Sequence, residues 1–182
     1  MALKKSPVTF PVSTNPEVLT QVLPDAGNIP NNRLPLLLYR KVIETAEPGP
    51  ELFENLFRAH DWRGSWRNGI YDYHHYHSTS HEVLGVFSGS AKVQLGGENG
   101  IVYEVHPGDV LVIPAGVAHK NLGSTSDFGV VGAYPEGMDW DMNYGKPGER
   151  PHVDQNIAKV PLPKTDPVYG DNGPLLTRWG KS

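Results

Sequence analysis

Four of the chain's eight histidines, His74, His75, His77 and His81, fall within eight residues, and Glu82 follows at once. Imidazoles beside a carboxylate support two kinds of chemistry: proton exchange near neutral pH, and binding of a divalent transition ion. The plain alternative is a polar strand with neither task. In an extended segment alternate residues share a face. Taken as a strand over 69–77, the stretch YDYHHYH turns Tyr73, His75 and His77 one way and Asp72, His74 and Tyr76 the other. His75 and His77 then stand about 6.6 Å apart, two rises of ~3.3 Å. From there their side chains can converge on one ion at about 2.1 Å. Glu82 opens the next strand after a loop of four residues, HSTSH in outline, and a hairpin returns its carboxylate beside the imidazoles. His119 arrives later in GDVLVIPAGVAHKN, just past a turn at Pro114 and Gly116, with Asn121 on the same face.

Cysteine is absent, so any metal site rests on His, Asp and Glu. Three neutral imidazoles and one carboxylate leave a divalent ion at about +1. The expectation is one divalent ion per chain, held by His75, His77, Glu82 and His119. Fe, Mn, Ni, Co and Zn all accept that donor set, which does not choose among them. Tyr73 shares the face of the two histidines and is a candidate proton carrier or simply a wall aromatic. His81 is the other candidate, although alternation sets it opposite Glu82 and favours a structural or surface role. His74 likewise turns away from the ligands, and His106 lies in a turn.

Weaker patterns fall away on context. His152-x-Asp154 lies in a proline-rich stretch with no strand before it. DWDMNYG, 139–145, has its glycine one place late for a calcium loop and Arg150 where the closing glutamate belongs. The terminal GKS lacks the upstream glycine of a phosphate loop, HSTSH lacks the glutamate of a zinc-protease helix, and no GxSxG elbow occurs.

The elements that must position these groups are mostly strands. Gly 20 and Pro 17 imply many turns and little long helix, hence an all-β class. Short strands are expected near 69–77, 82–88, 91–96, 101–105, 109–114, 117–122 and 128–134, divided by SGS, GGENG, HPGD, PAG and GSTSD. Their spacing suits a small antiparallel barrel or jelly roll with a core over about 66–135. Upstream, 1–33 reads as an irregular arm with a helix or strand near EVLTQVL, and LPLLLYRKV, 34–42, as a buried strand. One amphipathic helix is expected from Pro50 to about His60, with Leu52, Phe53, Leu56 and Phe57 on one face packed against the barrel. Residues 136–182 read as an irregular tail, too poor in periodic apolar residues to form a second core. The whole, 1–182, is thus expected to be one domain.

The spacing carries a resemblance. One block is Gly69, five residues, His75-x-His77, four residues, Glu82, six residues, Gly89; the other is Gly108, five residues, Pro114-x-Gly116, two residues, His119. Both resemble the two motifs of the cupin superfamily in order and spacing. One position departs: Gly123 stands where the family usually has Asn, and Asn121 is nearer, but that Asn is not a metal ligand. GSWRNGIY, HYHSTSHEVLG, IPAGVAHK and DWDMNYGKPGERP are in addition similar to small bacterial cupins of the YjlB-like group. The resemblance implies a double-stranded β-helix, the four-residue metal site, and a homodimer, for which the LPLLL run at 34–40 is the natural contact because it needs cover on both faces.

Fold and motif leave two function classes open. One is a metal-dependent enzyme, of dioxygenase or isomerase type, acting on a small oxygenated molecule. The other is a cupin that binds or senses a small ligand without turning it over. A net charge of −4 with scattered Lys and Arg argues against a nucleic-acid partner. No apolar run has signal-peptide or membrane-spanning length, so a cytoplasmic protein without a membrane partner is expected.

Overall fold

The computed structural model describes residues 8–180. The opening MALKKSP and the last two residues of GKS, with the readings made on them, lie outside. In chain order the elements are β1 (Glu17–Leu23), β2 (Asn32–Arg40), α1 (Pro50–Ala59), β3 (Trp62–Asn68), β4 (Glu82–Ser88), β5 (Ala91–Leu95), β6 (Ile101–Val105), β7 (Val110–Ile113), β8 (His119–Ser124), β9 (Gly129–Pro135), α2 (His152–Lys159) and α3 (Pro174–Trp179). They build two antiparallel sheets, one ordered β1-β2-β7-β4-β9-β3 and one ordered β6-β5-β8. This is the all-β, double-stranded β-helix architecture expected from the sequence.

Period-2 patterning sorts the apolar side chains between two cores. Leu36, Leu38, Leu84, Val86, Leu111 and Ile113 turn inward and meet Val93, Leu95 and Val105 of the small sheet. Their neighbours Leu37, Tyr39, Val83, Val110 and Val112 turn outward and are covered by helices. Both faces of the large sheet are therefore apolar, which explains the continuous run in LPLLLY. The outer cover is α1, whose Phe53, Leu56 and Phe57 are fully buried and whose Leu52 is partly buried. Gly85 of β4 gives Phe53 its place: a Cβ there would stand 2.3 Å from the ring.

Four expectations need correction. The segment 69–77 forms no ladder strand; it is extended chain held by single bridges, His75 to His119 and Tyr76 to Asn143. Second, no strand is expected over 62–68, yet β3 pairs there with β9, with an irregularity between Arg63 and Trp66. Its polar, mostly exposed residues hide the alternation that marks the other strands. Third, 136–182 is not wholly irregular. It carries α2 and α3, and α3 drives Trp179 under the outer face, where its indole donates to the Pro35 carbonyl at 2.8 Å. Six to eight residues are too few for a helical period to show in sequence. Buried Asp166 anchors this segment, accepting from Tyr39 Oη at 2.6 Å and from the Val168, Tyr169 and Leu175 amides. Fourth, the 34–40 run finds its cover inside the chain: β1 and β7 flank it, and both cores pack on it. Cover for LPLLL therefore gives no reason for a second copy. Among the described residues no helix is long and apolar enough to cross a membrane.

Phe53 bears most directly on how α1 seats against β4. Phe53→Ala is expected to cost about 3–5 kcal/mol, the usual loss for emptying a phenylalanine site. Urea unfolding followed by circular dichroism would show it; a midpoint equal to wild type would mean that α1 is not part of the cooperative fold.

Candidate metal centre

Glu82 is the first residue of β4 and points into the barrel, as alternation requires, with Leu84 and Val86 behind it. The adjacent β7 and β9 flank β4 on both sides, and the carboxylate is buried. His119 opens β8, turned inward by the Pro114–Gly116 turn. The small sheet thus supplies one imidazole and the large sheet the carboxylate. His119 Nε2 lies 3.2 Å and His77 Nε2 3.5 Å from Glu82 Oε2. The ligand atoms of His77, Glu82 and His119 all fall within 4.8 Å of one another. His75 is not in that tight group. It is buried and lines the same cavity, with its ring centroid 4.0 Å from that of His119.

The imidazoles are oriented in one sense. His75 Nδ1 donates to the Tyr73 carbonyl at 3.1 Å, His77 Nδ1 to the Asp141 carbonyl at 2.5 Å, and His119 Nδ1 to the Val117 carbonyl at 3.3 Å. A carbonyl only accepts, so each Nδ1 carries the proton and each neutral ring keeps its lone pair on Nε2. Such backbone contacts fix the tautomer of metal-binding histidines. Glu82 Oε1 accepts from Tyr134 Oη at 3.2 Å, and Tyr134 Oη accepts from Trp66 Nε1 at 2.8 Å. Glu82 Oε2 is buried with no hydrogen-bond donor. A group of acceptors facing one another with an orphaned carboxylate oxygen is the donor set a divalent cation satisfies, so these residues fit a metal.

The same groups also shift one another's acidity. Burial pushes the Glu82 carboxyl up, but the His77 and His119 imidazoles outweigh it and hold the group below the usual carboxylate range. Burial also pulls His77 down, yet the facing Glu82 leaves it raised on balance. Burial, with His119 beside it, lowers His75 to about 3, which keeps that ring neutral at pH 7.

Neither expected proton carrier lies with this group. Tyr73 stacks on Tyr71, with centroids 4.9 Å apart, and lines a separate cleft with His74, Lys120 and Tyr144. Because 69–77 is not a regular strand, the rule that residues two apart share a face fails there. His81 does turn away from Glu82, as alternation implies. It is buried rather than on the surface, accepting from the Ala115 amide at 2.9 Å and packing on Trp179. The cleft of about 670 Å³ on that side contains none of the clustered donors; they line a smaller cavity of about 210 Å³. His74 lies 3.2 Å from Glu98, outside the centre, and His106 is half-exposed beside Glu104. Asp154 pairs with Arg150, which accounts for the His152-x-Asp154 pattern without a metal.

Sequence reasoning missed the residues that shape this centre from a distance. Tyr134 and Trp66 hold Glu82. From the tail, Trp140 and Met142 wall the cavity. Asp141 clasps the HSTSH loop, accepting from the Ser78 amide at 2.6 Å, from Ser78 Oγ, and from Asn143 Nδ2 at 2.9 Å. The only local signal was a loop of hydroxyl side chains needing a partner, and that partner lies some sixty residues on.

A family model described as "Cupin domain" matches residues 67–129. A relative described as "Uncharacterized protein YjlB", from Bacillus subtilis (strain 168), is 43% identical over 166 residues, 91% of this chain and 98% of the relative. Similar solved structures include procruciferin, an 11S globulin from Brassica napus, at 19% identity and TM-score 0.36, covering 62% of this chain and 23% of that one. Another is acireductone dioxygenase from Bacillus anthracis with a cadmium ion in its active centre, at 17% identity and TM-score 0.37, covering 52% and 63%.

The clasp gives a pH prediction. Burial raises the Asp141 carboxyl, but the Ser78, Asn143 and Thr79 donors outweigh it and leave it lowered. A group lowered by folding stabilises the fold above its unfolded value of 3.8, and that stabilisation fades as pH falls through the folded value. The 139–143 clasp is therefore expected to loosen only below about pH 4. In Asp141→Asn the acid transition of tryptophan fluorescence should lose that contribution; an identical acid limb in both proteins would rule it out. A cupin motif over 67–129 and a close relative along nearly its whole length give the classification: the chain belongs to the cupin superfamily, in the group of YjlB.

Proposed function

We propose that the chain holds one divalent metal ion at His75, His77, Glu82 and His119 and acts through it on a small oxygenated molecule, as an enzyme of oxygenase or isomerase type. The observation that carries this is the matched orientation of the three imidazoles, every Nδ1 committed to a carbonyl, around a buried carboxylate oxygen that lacks a donor. A bound ion would supply Lewis acidity toward an oxygen-bearing ligand. The protein's part is to exclude water with Leu84, Ile70 and Met142, to set the imidazole tautomers, and to hold Glu82 in place through Tyr134.

A binding or sensing role is the second reading, and one observation favours it. Both acid–base candidates, Tyr73 and His81, lie outside the cavity; of the two phenols that line it, Tyr134 already donates to Glu82 and Tyr71 is nearly half-exposed at the rim. Oxygen uptake and product analysis with the metal-loaded protein, against small carbonyl and diol compounds, separate the two. Turnover supports the enzyme; a ligand that raises the melting temperature yet survives unchanged supports the binder. The homodimer implied by the resemblance is retained as a proposal, with β1, an edge strand of the large sheet, as a contact open to a second copy.

Metal analysis of the purified protein should give about one divalent ion per chain. His77→Ala removes a proposed ligand and is expected to weaken uptake at least ~100-fold, more than the loss of a supporting contact. Wild-type metal content in that variant would dismiss the assignment. Tyr73→Phe, outside the cavity, should leave metal content and any turnover within about twofold; a tenfold fall would restore Tyr73 as a working group.

A further inference from the structure

Beyond the metal, the walls of the 210 Å³ cavity restrict what can enter it. Two aromatic rings flank the imidazoles from different sides. Tyr71 meets His75 edge-on, with centroids 5.2 Å apart, and Trp140 meets His77 at 5.1 Å. Both rings are nearly half-exposed, at 45% and 46%, so they stand at the mouth rather than in the core. Between them and the histidines the wall is Ile70, Leu84 and Met142.

Several polar groups of the same wall are already engaged. Arg67, the cavity's one Lys or Arg, gives its guanidinium to Glu54 at 2.7 and 2.9 Å and to Glu51 at 3.0 Å, on the side of α1. Trp66 Nε1 donates to Tyr134, Tyr134 Oη donates to Glu82, and Asn68 Oδ1 accepts from the Gly69 amide. A ligand with many hydroxyls would leave most of them unpaired here, and each costs free energy when buried. A second anionic group would find no free cation. A flat ring, by contrast, meets two aromatic side chains and an apolar wall.

We infer that the ligand of this cavity is a planar molecule of single-ring size, with one oxygen function toward the histidine–glutamate cluster and no second negative charge. The inference rests on the proposed metal reading: an ion left at about +1 by one carboxylate is neutralised by one anionic oxygen, such as a phenolate or enolate. The volume fits, since 210 Å³ lies below the ~300 Å³ at which drug-sized pockets begin.

The test uses full-length protein loaded with redox-inert zinc, its metal content measured first. Calorimetric titration compares phenol, cyclohexanol and 4-hydroxybenzenesulfonate. Cyclohexanol keeps the hydroxyl but loses planarity; the sulfonate keeps the phenol and adds a charge. Phenol is expected to bind best, with both others weaker by about threefold or more. Tyr71→Leu and Trp140→Leu keep an apolar side chain and remove the ring. Each should weaken phenol about threefold to tenfold at unchanged zinc content. Two variants are used so that a disturbance of the 139–143 clasp in one does not decide the result. Cyclohexanol equal to phenol, the sulfonate equal or tighter, no phenol binding, or both variants unchanged would each overturn the inference while the metal reading stands. Failure to load zinc, or any other divalent ion, would overturn both.

Discussion

A carboxylate buried among imidazoles is the constraint around which the rest of the structure is arranged. Removing Glu82 from water is costly unless positive charge or donors replace the lost hydration. Only one of its oxygens is satisfied within the protein, by Tyr134. The other faces His77 and His119, and these arrive from different parts of the chain. Closing two sheets over one another is what brings an extended segment at 75–77, the start of β4 and the start of β8 to one place. The apolar core beneath excludes water, which strengthens every charge interaction in the centre.

Two neighbouring residues show how the large sheet divides labour. His81 and Glu82 point to opposite faces. Glu82 belongs to the inner cavity, whereas His81 sits in the outer core against Trp179 of the last helix. Burial lowers His81 to about 4, so it stays neutral at pH 7 and packs there as an uncharged ring. The start of β4 is thereby gripped from both sides: Tyr134 and the imidazoles hold the carboxylate, and the C-terminal segment holds the residue before it. Asp166, which anchors that segment, does its work through Tyr39 and three backbone amides, far from the cavity.

Much of this was legible in sequence because its signals are local. Strands β4 to β9 are short runs separated by glycine and proline turns, so their positions could be read, and β5 and β6 alternate as well. His75, His77 and Glu82 could be grouped by alternation, and His119 joined them through the resemblance to the cupin motifs. What escaped depended on distant partners. β3 exposes nearly every residue and owes its strand state to pairing with β9. The 69–77 segment has strand-like composition but only single bridges on either side, so alternation does not hold along it, and Tyr73 lines a different cleft from His75 and His77. The DWDMNYG stretch was noticed for a calcium loop it does not form; Asp141 instead satisfies Ser78, a contact no local pattern encodes.

One contact has a consequence in time. His77 owes its tautomer to the carbonyl of Asp141, and β3 finds its ladder partner only in β9. Pairings between segments this far apart form slowly, because long loops must close before any contact rewards them. A chain still emerging from the ribosome holds all four donors by residue 119, yet one imidazole has no acceptor to fix it. The order of synthesis therefore differs from the order of assembly: the donors are made in the middle of the chain, and the centre is completed only when residues well beyond them have docked.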